Sequence, residues 1–429
     1  MKSETSTMQA MLRDVGTLMR GAVLAQILGL LFMPVLSRLY TPSDFGNFGQ
    51  YQAAILLVSV IACMRYDMAI LTAPDEHEAV DLFRLCFVVS TMVSLAVFVG
   101  ILLYRQSSLP QNLLGAISTF WLAPATFMSG MALASGAILT RLGAFGLSAK
   151  TKFSQSGANG VVAAGVGVAM PSPAGLVAGD IAGKLIAITM AAHKYFRYHS
   201  GTGGATSLKV LASNYSSFPK LSVLGGLLNN GGSFLTPVLI YQLYGAHMAG
   251  QVALVDRAIS LPLGLLIVTA SQAFSSHYGR LLREDPMGAQ AYFKKLVVQS
   301  AKLALLPIAG LAIVASTLFP LIFGPQWVDA GGFAQILAIM YFSSIVAGPV
   351  NAALVIGGKL DWQLSWEFGR LVFLMLFWIS VAVAHYRVEI ALAGYAAIST
   401  IVNFIFIALV WVQNRSVMNG ESPPFKGDI

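Results

Sequence analysis

The chain has 429 residues, 56% of them hydrophobic and only 10% charged, with a formal net charge of +8. An ordinary soluble domain carries about 25% charged residues, and a core of this size cannot hide so much apolar surface, so the composition excludes a soluble protein. The positive balance calls for no nucleic acid, because lysines and arginines facing anionic membrane lipids account for it.

A helix crosses the bilayer core with roughly 20 mostly apolar residues. Twelve such stretches follow one another, over about 16–37, 46–71, 81–104, 112–139, 153–170, 173–192, 218–241, 250–277, 295–323, 331–356, 362–385 and 389–412. The first span shows no signal-peptidase site and is expected to stay as a transmembrane helix. Pro34, Pro124, Pro237, Pro262 and Pro349 fall inside spans. Each removes a backbone hydrogen bond and bends its helix, which spanning helices tolerate because neighbours re-satisfy the freed groups. Cys63 and Cys86 both lie within spans and are expected to be free thiols acting as small apolar side chains.

The spans divide evenly around the longest polar connection, "HKYFRYHSGTGGATSLKVLASNYSSF" at 193–218, with its basic start and flexible Gly/Ser/Thr centre. The organisation expected is a six-helix lobe over 1–192, a cytoplasmic linker over 193–217, a second six-helix lobe over 218–412 and a polar cytoplasmic tail over 413–429. A short internal repeat supports the halving. "RLYTPSDFGNF" follows the first span and "QLYGAHMAGQV" the seventh, and in each a Leu-Tyr pair precedes a glycine by the same interval, Tyr40 to Gly46 and Tyr244 to Gly250. Parallel six-helix repeats are a transporter design.

Lysine and arginine set the orientation. With the N-terminus inside, the inner segments hold 18 of the 26 Lys and Arg residues, whereas the outer loops hold Arg38, Arg105 and Arg387. That asymmetry predicts that both termini are cytoplasmic. Five basic residues remain within the spans: Arg20, Lys184, Arg257, Lys302 and Arg370, with Arg65 at an inner boundary. Asp180, Asp256 and Glu367 are the acids at span depth, and Asp67 lies beside Arg65. At about 2.5–3.5 kcal/mol for each charge facing lipid, the eight span charges would together cost more than the stability of a typical domain, about 5–15 kcal/mol. They are expected to face a wet cavity or one another.

Helical spacing pairs some of them: Asp180 with Lys184 at i,i+4, and Glu367 with Arg370 at i,i+3, Gln363 extending the second face. Around Asp256, a stripe of Ala253, Ser260, Gly264, Ser271 and Ser275 gives one helix side the small, polar character of a cavity wall, with Arg257 at its edge. Blander readings stand beside these. Arg20 and Lys302 lie close enough to inner ends to snorkel, and Asp180 with Lys184 also fits a structural ion pair.

No G-x-x-x-x-G-K-[ST] loop, H-E-x-x-H pair or cysteine cluster marks nucleotide hydrolysis or a metal site, so no enzyme, cofactor or metal is expected. The basic interior suits an anionic cargo such as a pyrophosphate, whose oxygens arginine binds through paired donors.

Five stretches, "SRLYTPSDFGNFGQYQA" (37–53), "MRYDMAIL" (64–71), "LASNYSSFPKLS" (211–222), "LVDRAISLPLGLL" (254–266) and "LIFGPQWVDAGGFAQILA" (321–338), occur in the order and spacing in which the chain resembles the Wzx-type O-antigen and polysaccharide flippases. That family belongs to the superfamily that also contains the multidrug and toxic compound extruders and the lipid II flippases. The resemblance implies an all-α membrane protein of the MATE-like kind, with twelve transmembrane helices in two six-helix lobes around a central cavity that opens alternately to each side. The implied cargo is an oligosaccharide on undecaprenyl pyrophosphate, moved from the inner to the outer leaflet of the bacterial inner membrane. The implied state is a monomer among membrane lipids, in contact with other polysaccharide-assembly proteins. Lipid II flippases place cavity arginines on the first, second and eighth helices, which here offer Arg20, Arg65 and Arg257; Lys184, Arg370 and Lys302 complete the substrate-binding candidates. Asp180, Asp256, Glu367 and Asp67 are the candidates for coupling to H+ or Na+. Two alternatives are an ion-antiport drug exporter of the same superfamily and a membrane polysaccharide polymerase or ligase, although the outer loops are short for the latter.

Overall fold

The computed structural model describes residues 2–106, 119–199 and 207–418. The expected start of the fourth span at 112–118, the glycine-rich linker centre at 200–206 and the tail from 419 lie outside the described residues. Among the described residues the chain is all helix: α1 (Lys2–Leu39), α2 (Pro42–Ala62), α3 (Tyr66–Thr72), α4 (Glu76–Gln106), α5 (Thr119–Arg141), α6 (Phe145–Ala169), α7 (Pro173–His199), α8 (Leu208–Asn214), α9 (Val223–Glu284), α10 (Pro286–Phe323), α11 (Val328–Ala347), α12 (Ala353–Ile356), α13 (Leu360–Ala384) and α14 (Val388–Met418). Ten segments among the described residues are long and apolar enough to cross a membrane. Two features bring that number to the expected twelve. One segment, Phe234–Glu284, lies in α9, which Gly245 (φ 82°, ψ 173°) divides into arms at 223–244 and 246–284, each long enough to span. Helix α6 has a spanning length of 25 residues, but Lys150, Lys152, Gln155 and Asn159 dilute its hydropathy.

The second span ends earlier than expected. Instead of one helix over 46–71, α2 stops at Ala62, and Met64 (φ 50°) and Arg65 (φ 62°) take left-handed conformations before α3 begins. Non-glycine residues pay roughly 1–2 kcal/mol for that conformation, so this break is held by its surroundings. Those surroundings are a buried cluster of Cys63, Tyr66, Ile70, Leu82, Phe83, Cys86, Ile138 and Leu211. Both cysteines are free and buried. Arg141, in the last turn of α5, secures the far end of α3, its guanidinium donating to the Leu71 carbonyl at 3.2 Å and the Ala73 carbonyl at 2.5 Å. The tenth span is likewise segmented, a 3-10 turn at Gly348–Val350 separating α11 from the short α12.

Two compact units make up the chain, Met1–Gly250 and Gln251–Ile429. In the first, α1 packs on α6, α6 on α7 and α4 on α5. The start of α2 carries a reciprocal cap: the Thr41 amide donates to the Asp44 carboxylate (2.8 Å), the Asp44 amide donates to the Thr41 hydroxyl (3.2 Å), and Pro42 occupies the first turn. Capped in this way, α2 brings Gly46 against the start of the second arm of α9. A side chain on Gly46 would collide with the Ala246 carbonyl and one on Gly250 with the Pro42 carbonyl. The two glycines of the sequence repeat therefore pack on each other, and the repeat is a pair of matching contact surfaces. The first arm of α9 stays with this unit through Tyr241, whose hydroxyl donates to Asn47 Oδ1 at 2.7 Å.

In the second unit α11 packs against both α10 and α14. Its start is held by Gln251, 1% exposed, whose side chain donates to the Gln326 carbonyl (2.8 Å) and accepts from the Ala330 amide (3.0 Å). An aromatic core of Phe274, Tyr278 and Phe293 joins the second arm of α9 to α10, and Tyr278 donates to Asn414 Oδ1 at 2.5 Å. The Tyr278–Asn414 bond joins neighbouring helices, the kind of contact that glues helices where lipid supplies no hydrophobic drive.

Candidate functional site

The sharpest polar constellation of the first unit is centred on Asp180 in α7. Asp180 Oδ2 accepts from Lys184 Nζ at 2.6 Å and from the Tyr51 hydroxyl at 2.9 Å. The lysine and aspartate side chains are 13% and 12% exposed, so this ion pair is largely withdrawn from solvent. The i,i+4 spacing placed the two charges on one face; the tyrosine comes from α2, where it reads in sequence as one more bulky span residue. Lys184 also lines a cavity of about 400 Å³ with Gln52, Ser59, Ser129 and Gln155 among its walls. Ile55, Leu56, Ala132 and Leu133 complete the walls, so the charged pair borders a chamber of mixed character that can hold a small group with both polar and apolar parts.

Asp256 is the counterpart in the second unit. Its Oδ1 accepts from the Tyr341 hydroxyl of α11 at 2.6 Å, and that hydroxyl also interacts with Ser260, one turn along the same helix. Adjacent residues on a helix point about 100° apart, so Asp256 turns to α11 while half-buried Arg257 projects from a different side. Asp256 is thus positioned by a phenol from α11, whereas Ser260 and Gly264 of the same stripe stay open. On another side of α11, Asn403 of α14 donates to the Ser343 hydroxyl at 3.0 Å.

The other sequence candidates are more scattered. Arg65 sits half-buried at its left-handed break, with a buried Nε that makes no hydrogen bond. Asp67, 8% exposed, accepts from the Cys63 thiol at 3.3 Å. Arg20 on α1 and Lys302 on α10 are exposed within their own units, Lys302 among the exposed Val298, Leu303, Leu305 and Leu306. Glu367 accepts from Gln363 at 2.9 Å. Arg370 lies with its guanidinium 5.2 Å over the Trp366 ring and faces a groove between α13 and α14. The structure thus brings Asp180 and Lys184 together and adds two tyrosines. Sequence reasoning overlooked Tyr51 and Tyr341 because a phenol counts as apolar in a span; their signal is a tyrosine in a span where a buried carboxylate needs a donor. No group of three His, Cys, Asp or Glu residues suited to a metal occurs among the described residues.

Residues 35–331, more than two thirds of the chain, match the family described as polysaccharide biosynthesis protein. The chain belongs to that family. A comparison with curated proteins returned no relative. Among solved structures, an inward-facing multidrug resistance MATE family transporter of the MOP superfamily superposes with a TM-score of 0.72 at 13% identity, over 93% of this chain and 96% of its own. The lipid II flippase MurJ in an inward closed conformation gives a TM-score of 0.69 at 9% identity, over 94% and 90%. The MATE transporter VcmN of Vibrio cholerae gives 0.58 at 13% identity, over 98% and 99%. At these identities the likeness concerns the fold. This member of the polysaccharide-biosynthesis family is a multi-pass membrane protein with the MATE-like architecture, and its fold neighbours are transporters and flippases.

Proposed function

We propose that the protein is a flippase for a lipid-linked oligosaccharide, an undecaprenyl-pyrophosphate glycan destined for a surface polysaccharide. It carries this cargo from the cytoplasmic to the periplasmic leaflet of the bacterial inner membrane by alternating access of lobes over 1–192 and 218–412, with both termini and the linker over 193–217 cytoplasmic. The observation that carries this reading is the conjunction of a polysaccharide-biosynthesis family match with a transporter fold. A family concerned with glycan assembly and a scaffold built for transport meet in the movement of a glycan precursor.

In this reading Arg20, Arg65, Arg257, Lys184, Lys302 and Arg370 supply cationic donors for the pyrophosphate. Asp180 and Asp256 lead the coupling candidates, ahead of Glu367 and Asp67, because each is held on a tyrosine hydroxyl, a geometry that serves a carboxylate gaining and losing a proton or Na+. Purified protein in vesicles is expected to move a fluorescent undecaprenyl-pyrophosphate oligosaccharide from one leaflet to the other. Arg257→Ala and Arg20→Ala are expected to abolish surface polysaccharide in cells at unchanged protein level. Vesicles in which the wild-type protein leaves the labelled lipid in its original leaflet would refute the proposal.

A second reading, export of cationic drugs by ion antiport, is favoured by the MATE neighbours. It asks for an acidic interior, against five basic and three acidic span residues here. Drug accumulation measured beside surface glycan separates the two.

A further inference from the structure

The chamber beside Lys184 holds more hydrogen-bonding capacity than the protein itself uses. Gln52 reaches it from α2, Ser129 from α5, Gln155 from α6 and Lys184 from α7. Gln52 is the eleventh of 21 residues in α2, Gln155 the eleventh of 25 in α6 and Lys184 the twelfth of 27 in α7. Each lies about 15 Å along its helix by the rise per residue, near the middle of a hydrocarbon core about 30 Å thick. Ser59 and Ser129 donate to carbonyls of their own helices, Leu56 at 2.9 Å and Ala125 at 2.7 Å. The charge of Lys184 is met by Asp180. The side-chain amides of Gln52 and Gln155 differ, for among the described residues neither has a hydrogen-bond partner. An amide left unpaired in an apolar medium is costly, so two of them on one chamber wall are matched by what enters. Close packing holds Gln155 there: a Cβ on Gly183 would stand 2.8 Å from the Gln155 carbonyl, and the glycine lets α6 close on α7.

We infer that this chamber is a specificity subsite for one acetamido sugar of the glycan cargo; the assignment rests on the flippase reading above. An acetamido group presents one N–H, one carbonyl and one methyl. The two glutamine amides offer an acceptor for the first and donors for the second, and the aliphatic walls take the third. The balance of charge selects against other sugars. A uronate finds no unclaimed cation, because Asp180 already holds Lys184 at 2.6 Å, and an unacetylated amino sugar brings an ammonium against that same lysine. A plain hexose leaves both an amide and the apolar wall unmatched. The volume of about 400 Å³ lies toward the small end of ligand sites, about 300–1,000 Å³, which suits a single decorated ring and excludes a whole repeat unit. Leu133, 38% exposed, leaves the chamber open on one side. Lys184 keeps further N–H donors for an oxygen of the same headgroup.

The test uses the full-length protein in phosphatidylcholine nanodiscs and soluble methyl glycosides, so that binding is read apart from transport. Acetamido sugars of gluco, galacto and manno configuration are compared with their parent hexosides by saturation-transfer NMR. At least one acetamido glycoside is expected to bind at least tenfold more tightly than its parent, with the strongest transfer to its acetyl methyl. Gln52→Leu and Gln155→Leu break no side-chain hydrogen bond inside the protein. Combined, they are expected to bring the acetamido glycoside and its parent within threefold of each other while thermal stability holds. Parent hexosides that bind as well as all three acetamido forms overturn the assignment, and so does an undiminished preference in the folded double variant. A double variant that loses thermal stability gives the amides a structural role and overturns it as well. Vesicle translocation by the wild-type protein separates the two claims. Translocation without any acetamido preference sinks the subsite and leaves the flippase standing, whereas preferential binding without translocation sinks the flippase and leaves a sugar site.

Discussion

Asp180 is the residue whose replacement tests the first unit most directly. Asp180→Asn preserves shape and leaves Tyr51 an oxygen to donate to, but it strips Lys184 of the carboxylate 2.6 Å away. With both side chains nearly sealed from solvent, at 13% and 12% exposure, the stranded ammonium carries most of the penalty. Removing one partner of a buried pair costs about 3–5 kcal/mol. The phenol contact at 2.9 Å survives as a neutral hydrogen bond, so the loss is expected near the lower end of that range. Asp180→Leu combined with Lys184→Met removes both charges and replaces them with apolar volume, which is close to neutral for many buried pairs. Thermal unfolding of the three proteins in one detergent, followed by tryptophan fluorescence, should order them as wild type and double variant together, with the single variant lower. At roughly 2 °C per kcal/mol for chains above 150 residues, the gap is about 6 °C. A single variant as stable as wild type, or a double variant no better than the single, would show that the pair is solvated and that burial does not govern it. Transport adds an independent readout. If Asp180 carries the coupling ion, the double variant is folded and inactive.

The remaining predictions concern the backbone and its caps. Gly46→Ala and Gly250→Ala each drive a methyl into a carbonyl oxygen of the facing helix and are expected to cost about 1–3 kcal/mol as overpacking; Gly100→Ala and Gly136→Ala, which meet nothing within 4 Å, should instead gain up to about 1 kcal/mol from helix propensity. Met64→Gly relieves one left-handed residue, worth about 1 kcal/mol, but removes a side chain packed on the buried cluster, a loss of about 1–2 kcal/mol for a half-buried side chain, so its stability should fall slightly with export intact. Arg65→Gly relieves the other yet is expected to lose export, and folded, fully active Arg65→Gly protein would remove this arginine from the site. Arg141→Met deprives two carbonyls of a charged donor, at about 1.5–3 kcal/mol, and hydrogen exchange should rise at 66–73 before the rest of the unit opens.

Much of this architecture was legible in the order of residues. Apolar length marked the helices because a bilayer demands it, and positions four apart disclosed Asp180 and Lys184 because a helix stacks them. The Tyr40–Gly46 and Tyr244–Gly250 intervals pointed to duplication, and the packing of those two glycines gives the signal a mechanical cause. What resisted was tertiary. Tyr51 lies 129 residues from Asp180, and no local pattern links a phenol to a distant carboxylate. The break at Met64 and Arg65 uses residues without any turn signature, so 46–71 looked continuous; the buried cluster around it imposes the bend. Arg370 stood in sequence three residues from Glu367 and four from Trp366, so its place over the indole is a local helical contact; what sequence did not disclose is that Val402 and Phe406 of α14 fix that indole.

Gly245 carries a practical consequence. A single residue joins two spanning arms, so the surface there offers no slack polypeptide for a protease to seize or for an epitope to occupy. A side chain at Gly245 itself has open space, but tags and split-protein junctions inserted there will displace Ala246, which packs on Gly46. Topology mapping by insertion should therefore report this crossing poorly, and an investigator counting spans by reporter fusion would come out two short.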